Sequence, residues 1–146
     1  MPRLEGLPLV RTVKGVEAVL WAGMIAGMTS ALAALWGRYR DLPSWLTGPA
    51  TCKLEGRGCQ VLFRTPKAAL LGVPNALLAV GFYVLLAIGL RMEWPVSWLL
   101  GGASLAMAMS AFLAWSLISR KLECRICWAG HWANLAIWVA LTLRGL

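Results

Sequence analysis

Apolar residues run almost unbroken through Val16–Gly37, Leu70–Leu90, Val96–Ser119 and Cys124–Leu143, and charged residues fall between these runs. Each run is close to the ~20 residues a helix needs to cross the hydrocarbon of a bilayer. No stretch carries a strand signal. The pattern predicts an all-α membrane protein, a four-transmembrane-helix bundle that makes residues 1–146 a single integral membrane domain. The first run is too long for the apolar part of a signal peptide and lacks a convincing cleavage site, so it reads as a span. Within it, Gly23-x-x-x-Gly27 with Ala22 and Ala26 alongside permits close helix approach.

The connections are unequal. Arg38–Ala69 is long and carries Pro43, Gly48, Pro49, Gly56, Gly58 and Pro66, which argue against a continuous helix. It is long enough to fold back as a lid, with a short interfacial turn over Ser44–Leu46. Pro74 suits the first turn of the second helix, where its missing N–H costs nothing. Arg91–Pro95 and Ser119–Glu123 are short.

Composition agrees with a membrane setting. Of 146 residues, 60% are hydrophobic and 14% charged, against about a quarter charged in a soluble domain. The net charge of +8 sits in the connections, so lipid headgroups and topology account for it and no nucleic-acid partner is expected. Trp36, Trp94, Trp98, Trp115 and Trp128 lie near span ends, where an amphipathic ring suits the interface.

All four cysteines form two pairs. Cys52-x6-Cys59 is in the long loop, and Cys124-Arg-Ile-Cys127 opens the fourth run. Two crossings separate the pairs, which places both on one face of the membrane. A C-x-x-C at a helix start meets unpaired N–H groups and the positive dipole end, both of which favour a thiolate. Lys121 and Arg125 are expected to add to that effect. This arrangement suits a relay: a thioredoxin-like partner exchanges with the loop pair, the loop pair exchanges with Cys124, and Cys127 lies deeper, beside a hydrophobic two-electron acceptor such as a quinone. Two other readings stay open. The four thiols are also a loosely spaced zinc set, and Cys52–Cys59 is also readable as a structural bridge. His131, four residues after Cys127 on the same helix face, is an ionisable group within a span and a candidate ligand donor. Asn75 is the other polar group placed to meet a ligand carbonyl, and Asn134 reads as an interhelical hydrogen bond.

With Cys52…Gly58-Cys59, Gly72-Val-Pro-Asn75 followed by Tyr83, Thr65 six residues after Cys59, and Cys124-Arg-Ile-Cys127, the chain resembles the vitamin K epoxide reductase (VKOR) family from the first span to the fourth. It is most similar to the bacterial and archaeal form without a fused thioredoxin-like domain. The resemblance implies an enzyme, a quinone-dependent thiol–disulfide oxidoreductase that oxidises a separate thioredoxin-like partner. The acceptor it implies is menaquinone, ubiquinone or a vitamin K-like quinone. Cys127 would face the quinone and Cys124 would exchange with Cys52 and Cys59. Asn75 matches a quinone-bonding Asn, and His131 stands where the animal enzymes carry Tyr. The DsbB type has its C-x-x-C in the first loop, the reverse order. Alternatives are a quinone or epoxide reductase whose product is the reduced quinone, and a non-catalytic membrane scaffold stapled by disulfides.

Family habit puts the cysteine face outside the cytoplasm. The charges point the other way: nine Lys and Arg residues (Arg38, Arg40, Lys53, Arg57, Arg64, Lys67, Arg120, Lys121, Arg125) lie on the cysteine side and five (Arg3, Arg11, Lys14, Arg91, Arg144) on the other. The positive-inside rule therefore turns the cysteines toward the cytoplasm, where disulfides persist chiefly in hyperthermophiles. Reporter fusions at the C-terminus are expected to register an extracytoplasmic end; a cytoplasmic signal would reverse the orientation.

Overall fold

The computed structural model describes residues 8–43, 63–121 and 124–146, with side chains from Thr12 onward except that of Lys67. Cys52, Cys59 and the turn expected at Ser44–Leu46 lie outside the described residues. Among the described residues four long α-helices follow in order: α1 (Pro8–Tyr39), α2 (Asn75–Arg91), α3 (Val96–Ser119) and α4 (Arg125–Gly145). A single 3-10 turn, Pro66–Ala68, and two short strands, β1 (Ala69–Leu70) and β2 (Val73–Pro74), precede α2.

Among the described residues three helices are long and apolar enough to cross a membrane: Thr12–Tyr39 within α1, α3 and α4. α2 is apolar but only 17 residues long. At 1.5 Å per residue it spans ~26 Å, a little less than the ~30 Å hydrocarbon core. Large apolar side chains such as Ile25, Leu105 and Phe112 are exposed on the outside of the bundle. Helices that are hydrophobic all round belong in lipid, which marks an all-α membrane protein.

The second run departs from the sequence expectation in two ways. Its helix begins at Asn75, not Leu70, and the residues before it pair as an antiparallel hairpin, Ala69 with Pro74 and Leu70 with Val73. The cause is the turn between them. Leu71 and Gly72 both have positive φ, 52° and 86°, which is the signature of a two-residue type I′ hairpin. Gly72 adopts that conformation freely, while Leu71 is held there with its side chain 98% exposed. Pro74 ends the hairpin as the residue preceding α2, so it is the cap of that helix and not its first turn. Apolar composition alone does not distinguish such a hairpin from a helix start.

α1 also extends beyond the expected Val16–Gly37, because Pro8 suits a helix start and nothing before Val16 stops the helix. At its other end Arg40 N–H still bonds Trp36 O (2.8 Å) before Pro43. After α2, Glu93 takes a left-handed φ of 54° and Trp94 N–H reaches back to Gly89 O at 2.9 Å. That is a Schellman closure, and it turns the chain directly into α3.

α4 packs most closely on α1 and α3, α1 packs also on α2, and of these four neighbouring pairs α2 and α3 touch least. Leu20, Met24, Tyr83, Leu86, Leu99, Ile137 and Leu141 fill the shared core. The glycine pair of α1 sets the spacing. A Cβ at Gly23 would stand 3.0 Å from Ile137 Cγ1 of α4, and one at Gly27 would enter the Tyr83 ring of α2. Gly27→Val is therefore expected to lower stability by about 1–3 kcal/mol through overpacking. Gly101→Ala, with nothing within 4 Å of its added carbon, is expected to change it by under ~0.5 kcal/mol. Thermal unfolding in detergent measures both.

Candidate functional site

The C-x-x-C sits at the start of α4. Cys124 is the residue before the first helical turn, with extended φ and ψ of −140° and 103°, and its Sγ accepts the Cys127 N–H at 3.3 Å. A sulfur thus does the capping work usually left to Ser or Asp. The Cys127 thiol also donates to Cys124, which holds the Cys124 thiol below its ordinary pKa, and the N–H groups of Cys127 and Ile126 act in the same sense against the opposing effect of burial. The lowering expected from Lys121 and Arg125 is not its principal source; both side chains are exposed.

Cys124 is only 1% exposed. It is covered by Leu42, Phe63 and Ile126, which form a small apolar cluster of their own. Leu42 and Phe63 both belong to the long connection, and both lean on α1 where Gly37 leaves room. Arg38 ties the same ends together: its Nη1 donates to Phe63 O at 2.9 Å, and Arg64 Nε donates to Arg38 O at 3.2 Å. Arg64 also pairs with Asp41 at 3.3 Å. Two described stretches of the long connection, one after α1 and one before the 3-10 turn, are thereby held together beside Cys124.

Below this cover lies a cavity of about 580 Å³, bounded by all four helices. Its wall is largely apolar, with Ala34, Ala79, Phe82, Ala106, Met109 and Leu113 among the lining residues. Cys127, His131 and Asn134 line it from one face of α4, at positions i, i+4 and i+7, and Asn75 lines it from the first turn of α2. Of the residues singled out from sequence, the structure therefore brings Cys127, Asn75 and His131 to one cavity and sets Cys124 beside it. His131 Nε2 is buried with no hydrogen-bond partner among the described residues, and the Trp128 ring meets the imidazole edge-on at 5.9 Å. Leu78 and Leu105 line the cavity and are also exposed, so it opens sideways between α2 and α3.

Three features of the site were not anticipated. Ser110 of α3 lines the cavity and accepts from Asn134 Nδ2 at 2.7 Å, while Asn134 Oδ1 accepts from Tyr83 Oη at 2.6 Å. Ser30 binds α1 to the start of α4 through Ile126 O at 3.0 Å. Arg38 and Arg120 stand at the cysteine end of the cavity. Asn134, read from the sequence as an interhelical hydrogen bond, makes two of them here; its partner Ser110 is one of five serines of α3, and nothing in the sequence set it apart. Among the described residues no three His, Cys, Asp or Glu side chains gather as a metal site.

An apolar helical bundle with a dithiol at the wall of its internal cavity defines the class of membrane-integral oxidoreductases. The model of the vitamin K epoxide reductase family matches residues 17–142, and the chain belongs to that family. Its members are oxidoreductases associated with quinones. No curated protein and no solved structure gives a match to the chain.

In the fully reduced protein, the ultraviolet absorbance of a thiolate is expected to persist below the ordinary cysteine pKa of ~8.5 and to fade only as pH falls through the lowered value for Cys124. Cys127→Ala removes the thiol donor and should move that transition to higher pH, whereas Arg125→Gln should leave it in place. A transition unmoved by Cys127→Ala would show that another group lowers the pKa.

Proposed function

We propose that the protein is a quinone-dependent thiol–disulfide oxidoreductase that generates disulfides by oxidising a separate thioredoxin-like protein. The observation that carries this reading is the position of Cys127: it lies in the wall of an apolar cavity with His131 and Asn75, while its partner Cys124 lies under Leu42 and Phe63, residues of the connection that also bears Cys52 and Cys59 in sequence. A buried imidazole nitrogen with no partner among the described residues is open to an acceptor or a donor from a ligand. A mostly apolar cavity with few polar groups suits a flat lipid-soluble molecule. His131 and Asn75 would hold the oxygens of such a ring. A bound quinone supplies a two-electron, two-proton acceptor, which matches one dithiol.

The cysteines do the exchange. A thiolate of the loop pair attacks Cys124 Sγ in the oxidised Cys124–Cys127 bridge, and Cys127 leaves as a thiolate. The second loop thiolate then breaks the mixed disulfide, which leaves Cys52–Cys59 oxidised and Cys124–Cys127 reduced. The partner's dithiol reduces the loop pair in turn and departs as a disulfide. When the Cys124–Cys127 bridge re-forms, the pair gives up two electrons and two protons toward the cavity. A Cys124 thiolate, favoured by its capping N–H groups, is the nucleophile that closes that bridge. On the charge distribution, this cysteine face is toward the cytoplasm.

A reconstituted assay with a reduced thioredoxin-like protein and a quinone tests the reading. Cys127→Ala is expected to reduce quinol formation to background while the fold is kept. Turnover that survives Cys127→Ala removes the relay assignment. Cysteine variants that act only through stability would favour the scaffold, and turnover with an epoxide would favour the reductase alternative.

A further inference from the structure

Thr29 and Ser30 are neighbours in α1, and they use their hydroxyls differently. A hydroxyl within a helix commonly donates to the carbonyl one turn back. Thr29 does so, to Ile25 O at 2.7 Å, and so does Thr142 of α4, to Trp138 O at 2.8 Å. Ser30 donates across to another helix, to Ile126 O of α4 at 3.0 Å. Gly130 makes this approach possible, because a Cβ there would stand 2.8 Å from Ser30 Oγ. Gly23, on the same face of α1 as Ser30, admits Ile137 and the Ala133 carbonyl, which fixes α1 against α4.

The Ile126 carbonyl is no orphan, since a helical carbonyl accepts the N–H four residues on. What Ser30 acts on is the peptide unit. Ile126 C=O and Cys127 N–H are the two ends of one resonant amide, and that N–H donates to Cys124 Sγ at 3.3 Å. Ser30 O–H, the Ile126–Cys127 amide and Cys124 Sγ therefore form one series. Hydrogen bonds linked through an amide polarise one another, because density drawn to the oxygen makes the N–H a stronger donor. The gain is greatest when the acceptor is charged, which here means a Cys124 thiolate. Among the described residues Leu42, Phe63 and Ile126 cover Cys124 without charge, Lys121 and Arg125 are exposed, and Arg38 of α1 donates to Phe63 O. The Cys127 thiol is the other donor to this sulfur.

We propose that Ser30 is a positioning residue for the cysteine pair: from α1 it polarises the Ile126–Cys127 peptide and so strengthens the N–H that Cys127 donates to Cys124 Sγ. Loss of the hydroxyl leaves the pair in place and makes the Cys124 thiolate harder to form. This rests on reading Cys124 and Cys127 as the redox pair of the oxidoreductase, and it adds a residue of a different helix that tunes them.

The full chain carrying Cys52→Ala and Cys59→Ala tests it, because only the α4 pair then reports. Two readouts are taken on the reduced protein: the pH midpoint of the first thiolate absorbance transition, and the amide proton resonance of Cys127 in protein labelled on the cysteine nitrogen. Linked bonds strengthen one another by roughly 10–30%. For a bond to a charged sulfur this is about two-fold in the thiolate equilibrium, or ~0.3 pH unit. Ser30→Ala is expected to raise the midpoint by that amount and to move the Cys127 amide proton upfield. Ser30→Thr keeps the hydroxyl and should restore both. Gly130→Ala keeps the hydroxyl but pushes it off the carbonyl, so it should match Ser30→Ala, and the double variant should shift no further. An unmoved midpoint and amide, a shift that Ser30→Thr does not restore, or additive shifts overturn the proposal and leave the oxidoreductase reading standing. A parent protein with no thiolate below the ordinary cysteine range overturns the reactive Cys124 of the proposed mechanism, and the role of Ser30 with it.

Discussion

The closeness of α1 to its two neighbours is the constraint from which the rest of the architecture follows. In lipid there is little hydrophobic drive between helices, so association depends on how near the backbones come. Gly23 admits Ile137 and the Ala133 carbonyl of α4, and Gly27 admits the Tyr83 ring of α2. With α1 drawn against both, α2 and α3 are left as the loosest of the neighbouring pairs. The space between them is the cavity. Packing that is tight on one side and open on the other provides both a rigid wall for Cys127 and a side opening at the depth of the apolar chains of lipid.

The head of α4 depends on a different economy of groups. A helix start exposes N–H groups that must be satisfied, and here a cysteine sulfur accepts one of them. The Cys127 thiol chiefly lowers the pKa of Cys124, and the N–H that Cys124 caps acts in the same sense. Helix capping and thiol reactivity thus meet at one sulfur. Leu42 and Phe63, both from the long connection, then pack over Cys124 and bury it. The seal is apolar and small, and the arginines that tie its edges lie nearer to solvent than the cysteine they enclose.

Much of this was legible in the amino-acid order. The apolar runs mark the helices because a segment that must hide from water in lipid is apolar on every side. The C-x-x-C was legible because a short motif at a helix start carries its geometry with it, and Cys127, His131 and Asn134 share a helix face by spacing alone. The start of α2 was not legible. Leu70 and Leu71 are as apolar as any residues of a span, and only the positive φ at Leu71 and Gly72 turns them into a hairpin. The role of Lys121 and Arg125 was also misread, because charge near a thiol in sequence says nothing about whether the side chain turns toward it.

What the sequence determined by itself was local: which stretches are helical and apolar, which residue begins α4, and which residues lie on one helix face. These follow from periodicity and composition, and each involves a single stretch of chain. The tertiary structure decided everything that joins distant stretches. It set Ser110 against Asn134 and Asn134 against Tyr83, brought Asn75 of α2 to the same cavity as His131 of α4, and placed Leu42 and Phe63 over Cys124. A serine in an apolar run is silent in sequence because its meaning lies in the partner it meets, and that partner is chosen only when the helices pack.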